Sequence, residues 1–145
     1  MLADDFLTFK CSGVTSDLVR AYEKSNKTQL SVMQIDGSVI SKYGVVKLNR
    51  NKGFVDGLVE KPEFNDASSN LASIGRYVLR PDIFDILRNQ SNGIGNEIQL
   101  ADAINTQAKV GNVKYLIHNG QRFDCGSVRG YVDAISYIAK RDGIS

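Results

Sequence analysis

Cysteine and histidine are scarce in this sequence, and so is any excess of one charge over the other. Only Cys11 and Cys125 occur among 145 residues, far apart and without the short spacing of a thiolate metal site. That usage reads as two reduced thiols in a cytoplasmic protein. The single histidine, His118, leaves no Ser/His/Asp or Cys/His arrangement, and its place at a strand end reads as a surface residue rather than a catalytic base. No apolar run approaches the ~20 residues of a membrane span. The N-terminus lacks the basic segment and apolar core of a signal peptide. Net charge is +2 with the basic residues scattered, which argues against nucleic acid and anionic membrane as partners. The glycines include no Gly-x-Gly-x-x-Gly and no Lys-Ser/Thr ending, so Ser91-Asn92-Gly93-Ile94-Gly95 is read as a plain loop, not a phosphate loop.

What remains is an ordinary globular composition, 42% hydrophobic and 23% charged, long enough for one domain with its own core. Cap chemistry at Thr15-Ser16-Asp17 precedes an amphipathic helix expected from about Ser16 to Asn26. Gln29 to Ile35 reads as a strand stopped by an Asp36-Gly37 turn. Gly44–Leu48 and Phe54–Glu60 bracket the polar turn 49–53 as an antiparallel pair, and Pro62 ends the second because it cannot donate to a ladder. Leu71 to Leu79 is a further strand, interrupted at Gly75 where backbone bends or is closely approached. Pro81-Asp82 opens a short helix through Leu87. Helical spacing follows at Glu97–Leu100 and Ala103-Ile104, then a strand from Val113 to Ile117. A last helix from Val128 to Lys140 closes on Gly143. Hairpin-like strands mixed with helix–strand–helix units predict an α/β fold with a mixed sheet.

Carboxylates supply the candidate chemistry. Asp4 and Asp5 follow the short apolar run Met1-Leu2-Ala3, which reads as the carboxyl end of a buried strand, where open α/β sheets place ligands. A solvated turn or a helix cap is the competing use. Asp124, in Phe123-Asp124-Cys125-Gly126, lies between regular elements, where an N-terminal helix cap is the commoner role. Two carboxylates from distant segments could hold a hard cation such as Mg²⁺, which takes oxygen ligands and usually engages one or two carboxylates with substrate phosphates. In Val59-Glu60-Lys61-Pro62 an acid and a base stand side by side at a strand end. A lysine suits a phosphate, and a carboxylate accepts from sugar hydroxyls; an exposed charged strand end is the simpler alternative. Gly44 precedes a strand, where bare backbone can lie against a ligand or merely turn.

Five segments in order carry a resemblance. They are Ser41-Lys42-Tyr43-Gly44-Val45-Val46, Gly57-Leu58-Val59-Glu60-Lys61-Pro62, the stretch from Ser69 to Leu79, Asn96-Glu97-Ile98-Gln99-Leu100-Ala101-Asp102-Ala103-Ile104, and Phe123-Asp124-Cys125-Gly126. Together they resemble bacterial UTP–glucose-1-phosphate uridylyltransferases, the UDP-glucose pyrophosphorylases, over nearly the whole chain. The resemblance implies the C-terminal part of a Rossmann-like nucleotide-diphospho-sugar transferase fold. It also implies a reaction in which glucose 1-phosphate attacks the α-phosphorus of UTP, with Mg²⁺ neutralising the crowded oxygens. By the same resemblance Asp4 and Asp124 are the metal ligands, with Ala3 where the family usually has proline. Gly44, Glu60, Lys61 and Asp5 form the substrate-binding set. In it, Glu60 accepts from glucose hydroxyls, Gly44 offers its backbone to the sugar and Asp5 is a supporting group. Lys61, the contact to the sugar-linked phosphate, is assigned the catalytic role.

Family members also carry an upstream half with a Gly-x-Gly-Thr-Arg-type phosphate loop, a lysine and base-reading segments, none of which this sequence contains. The expectation is therefore a single domain over residues 1–145, a fragment without the nucleotide-binding half and inactive alone. Strand edges left open by that half predict a homo-oligomer. Two alternatives stand beside it: a stand-alone sugar-phosphate-binding module without catalysis, and a sibling nucleotidyltransferase using another sugar or nucleotide.

Overall fold

Strands need a partner for their backbone hydrogen bonds, and the described strands find theirs in two separate sheets. A computed structural model describes residues 4–9, 12–51, 53–91, 93 and 96–144. Cys11 and Met1-Leu2-Ala3 lie outside the described residues, as do Asn92, Ile94 and Gly95 of the expected loop. The elements run β1 (Asp5–Leu7), α1 (Val14–Ser25), β2 (Thr28–Gln34), a 3-10 turn (Gly37–Lys42), β3 (Gly44–Leu48), β4 (Val55–Glu60) and a second 3-10 turn (Phe64–Asp66). There follow β5 (Leu71–Val78), α2 (Ile83–Asn89), α3 (Leu100–Lys109), β6 (Val113–Ile117), β7 (Arg122–Asp124) and α4 (Val128–Asp142). Five strands form one mixed sheet in the order β4-β3-β5-β2-β6, and β1 pairs with β7 in a two-stranded ribbon.

In the larger sheet β2 is antiparallel to β5 and parallel to β6, so it is flanked by strands on both edges and its first five residues are buried. Its apolar Leu30 and Val32 enter a core with Val46, Leu58, Ile104 and Val113, under α3, which packs on β4. The polar residues of β2 are satisfied in place. Thr28 Oγ1 donates to Gln107 Oε1 at 2.6 Å and accepts from the Arg80 amide at 3.0 Å, while Gln107 Nε2 donates to Asp82 Oδ1 at 2.6 Å. Gly75 holds φ +63 in the stretch where the β2–β5 register slips between Leu30 and Val32, a left-handed backbone that glycine adopts freely.

Several local expectations are corrected. Helix α1 begins at Val14, so Thr15, Ser16 and Asp17 lie in its first turn rather than before it; Ser12 Oγ donates to Asp17 Oδ1 at 2.5 Å. Asp36 does not end in a tight turn: its side chain accepts from the Ser38 amide at 2.8 Å and caps the first 3-10 turn. Asp5 opens β1 instead of closing a strand. Asp124 ends β7, and the residue that caps α4 is Ser127, whose Oγ accepts from the Gly130 amide at 3.0 Å. Helix α4 ends on Gly143 at φ +67, as its position after the last apolar residues predicts. Among the described residues no helix is long and apolar enough to cross a membrane.

Candidate functional site

The ribbon brings the two ends of the chain together. Asp5 pairs with Asp124, Phe6 with Phe123 and Leu7 with Arg122, and the Cys125 amide donates to the Asp4 carbonyl at 2.8 Å. Both Asp4 and Asp124 are exposed. A Cβ added to Gly126 would lie 3.1 Å from Asp124 Oδ1 and 3.2 Å from Asp4 Oδ2. The two carboxylates therefore flank one bare glycine, and the Gly126 amide donates to Asp124 Oδ1 at 3.1 Å. Two exposed carboxylates converging on a spot with no side chain of its own fit a hard divalent cation that keeps its other positions for water or phosphate. No cluster of three or more acidic, histidine or cysteine ligands exists among the described residues.

Glu60 and Lys61 are set by the β3–β4 hairpin. Glu60 pairs with Gly44, and a Cβ on Gly44 would meet Glu60 Oε2 at 2.9 Å, so the carboxylate lies directly over the glycine backbone. Lys61 leaves the strand at φ +46, a left-handed conformation that costs a residue with a Cβ about 1 kcal/mol or more. Its amide donates to the Tyr43 carbonyl at 3.0 Å, and the following Pro62 is buried. Both charged side chains stay exposed.

Asp5 differs from the other acids. Only 3% exposed, it faces Arg122, with Oδ1 and Nη2 2.5 Å apart. Arg76 Nη2 donates to its carbonyl at 2.5 Å. Burial pushes the Asp5 carboxyl above the usual range, and the Arg122 guanidinium opposes that rise without cancelling it. The contact to Asp5 is made by Nη2, and Arg122 Nε is left without a hydrogen-bond partner. Arg122 also lies over the Tyr43 ring, 5.0 Å from its centroid, and Nη1 donates to the Tyr43 hydroxyl at 3.1 Å. Tyr77, its hydroxyl accepting from Ser73 at 3.2 Å, is pushed above the usual tyrosine range by burial, with smaller contributions from the charges of Glu60 and Asp5.

Arg122, Tyr43 and Arg76 were not singled out by sequence reasoning. The available signal was Arg122 two residues before Asp124 on one short strand, but its meaning depends on the partner strand. Only the register puts Arg122 diagonal to Asp5, a reach long side chains manage. His118 is half-buried rather than on the surface: its Nε2 has no partner, and burial lowers its pKa. It lines a cavity of about 330 Å³ with Phe9, Asp17, Leu18 and Ser31, and none of Asp4, Asp5, Gly44, Glu60, Lys61 and Asp124 borders that space.

The chain matches the profile of the family described as nucleotidyl transferase over residues 1–141. The chain belongs to that family. A UTP–glucose-1-phosphate uridylyltransferase of Pseudomonas aeruginosa is 42% identical over 144 residues, covering 94% of this chain and 50% of the relative. Its counterpart in Streptococcus pyogenes is 40% identical over 139 residues, covering 91% and 46%. A UDP-glucose pyrophosphorylase solved with UDP-glucose superimposes with TM-score 0.85 at 38% identity, over 97% of this chain and 55% of that one. This nucleotidyl transferase chain thus spans about half the length of the relatives it matches, and the α/β architecture with its mixed five-stranded sheet is that of the family.

Proposed function

We propose that the chain is the sugar-phosphate-binding portion of a uridylyltransferase that converts UTP and glucose 1-phosphate to UDP-glucose and pyrophosphate. In that reaction a phosphate oxygen of the sugar phosphate bonds to the α-phosphorus of UTP, the bond from that phosphorus to the β-phosphate bridge breaks, and pyrophosphate leaves. The observation that carries this reading is spatial. An exposed acid pair, Asp4 and Asp124 about Gly126, and a second exposed acid, Glu60 over Gly44, are joined through Asp5, Arg122 and Tyr43. The likeness to uridylyltransferases along almost the whole chain supports the same assignment.

In this reading Glu60 accepts from glucose hydroxyls, and the Gly44 backbone lets the sugar approach where any side chain would meet Glu60. Lys61 sets its ammonium on the sugar-linked phosphate. A left-handed backbone held by the Tyr43 carbonyl fixes the direction in which that side chain leaves the strand. Asp4 and Asp124 hold Mg²⁺, which when bound neutralises phosphate oxygens during transfer. Phosphoryl-type transfer of this kind needs chiefly positioning and electrostatic support. Buried Asp5 acts through Arg122 and does not itself reach the substrate. The chain alone supplies no phosphate loop, so it binds the sugar nucleotide without turning over UTP.

Calorimetric titration of UDP-glucose, with and without Mg²⁺, tests this. The chain should bind in both conditions and more tightly with the metal. Asp124→Ala should lose that gain while keeping metal-free affinity, and Glu60→Gln should weaken both. No UDP-glucose binding by the chain, or an Asp124→Ala variant that keeps its full response to Mg²⁺, sinks the reading.

A further inference from the structure

Two exposed clusters that must act on one small molecule need a fixed distance between them, yet they stand on different sheets. Asp4 and Asp124 ride on the β1–β7 ribbon, while Gly44, Glu60 and Lys61 ride on the edge hairpin of the five-stranded sheet. Among the described residues, Arg122 contacts both places. Its side chain is 12% exposed, its Nη2 faces Asp5 beside the acid pair, and its Nη1 donates to the Tyr43 hydroxyl. Tyr43 in turn is covalently next to Gly44, and its carbonyl holds the Lys61 amide. Arg76, from β5, ties the Asp5 backbone to the large sheet a second time.

We infer that Arg122 is a positioning residue that sets the spacing between the acid pair and the sugar-phosphate platform by bridging Asp5 and Tyr43. A guanidinium suits the task because its planar fork fixes two directions at once, one toward a carboxylate and one toward a hydroxyl, while it lies over the Tyr43 ring, 5.0 Å from the centroid. A lysine in its place supplies charge without the fork. Because the guanidinium is held at both ends, by the 2.5 Å contact to Asp5 Oδ1 and by the hydrogen bond to the Tyr43 hydroxyl, a shift at one end passes to the other. The role rests on the function proposed above; the bridge itself does not.

The test has two arms. In the ligand-free chain, Tyr43→Phe removes one hydroxyl and keeps the ring. Amide resonances of Asp124, Cys125 and Gly126 in a ¹H–¹⁵N spectrum should move, and the same substitution in an Arg122→Lys background should leave them still. Resonances that stay put in Tyr43→Phe, or that move equally in both backgrounds, overturn the bridge.

In the second arm UDP-glucose is titrated with and without Mg²⁺. Both Tyr43→Phe and Arg122→Lys should cut the gain in affinity that Mg²⁺ gives by about five- to tenfold, the low end of the range for coupling between linked sites, and by more than they cut metal-free affinity. An equal loss in both conditions marks general loosening and overturns the positioning role. If Arg122→Lys fails to fold, Tyr43→Phe alone decides this arm. Failure of the unmodified chain to bind UDP-glucose overturns the sugar reading and the positioning role built on it, and the bridge is still decided by the spectra.

Discussion

The five-stranded sheet and the β1–β7 ribbon are built to different standards. The sheet has an interior strand buried at almost every position, a helix on its core and buried polar groups such as Thr28 and Gln107 matched to each other. Each strand of the ribbon is three residues long; Phe6 and Phe123 meet within it, ring centroids 6.0 Å apart, and it leans on α4 through the Phe123–Tyr137 contact at 5.3 Å. Only Ala134 of α4 is buried, and Val128, Tyr131, Val132 and Ile135 stand exposed at helical spacing. The sheet supplies rigidity, and the weaker ribbon carries the acid pair. Binding residues often sit on the less stable part of a fold, because that part can adjust.

Substitutions can break that contrast, beginning with the largest. Ile104→Ala in α3, where Ile104 is 1% exposed, should cost about 2 to 5 kcal/mol in denaturant unfolding, the range for a truncated buried aliphatic. A cost below about 1 kcal/mol would mean the sheet is no firmer than the ribbon. Gly130→Ala comes next. Alanine in a helix ordinarily gains about 0.5 to 1 kcal/mol over glycine, but a Cβ here would collide with the Asp124 carbonyl. The expected sign is reversed, a loss of about 1 to 3 kcal/mol from overpacking, visible in the same unfolding curves; a stabilised variant would show that α4 is free to slide on the ribbon. Val132→Ser on the exposed face of α4 should change stability by no more than about 0.5 kcal/mol. A loss several times larger, read from the unfolding midpoint, would show that this face is covered in solution.

The same contrast explains how much could be read before the fold was known. Strands β3 to β6 announce themselves because their apolar periodicity and bounding Pro and Gly residues are local signals, and the expected strand Val113–Ile117 is β6 residue for residue. Helix α3 is legible only in part, since Glu97, Ile98 and Gln99 of the expected helical spacing precede its start at Leu100. The ribbon does not announce itself. Its pairing joins residues near opposite ends of the chain, and three-residue strands give no periodicity to detect. Asp124 looked like a helix cap because it stands four positions before α4, but Ser127 is nearer to the helix start and takes that role. The apolar stripe on α4 was visible as spacing; spacing does not say whether a neighbour covers it. For the candidate site, residue types offered Asp4, Asp124, Glu60 and Lys61 beside plainer uses and the family resemblance chose among them, whereas Arg122 and Tyr43 become meaningful only with the cross-strand register.

The pairing of Asp5 with Asp124 also gives the molecule a built-in check on its own completeness. Thr8 and Gln121, hydrogen-bonded within the same closure, are 113 positions apart, so the acid pair is the clasp of a ring made from nearly the whole chain. Closing so large a ring costs little more than closing a small one, about 0.6 kcal/mol for each doubling of length. The distance in sequence therefore adds little cost in stability. It does make the clasp conditional: a chain with any intervening element unformed holds Asp4 and Asp124 apart, and anything gripped between them favours the finished ring over every unfinished one.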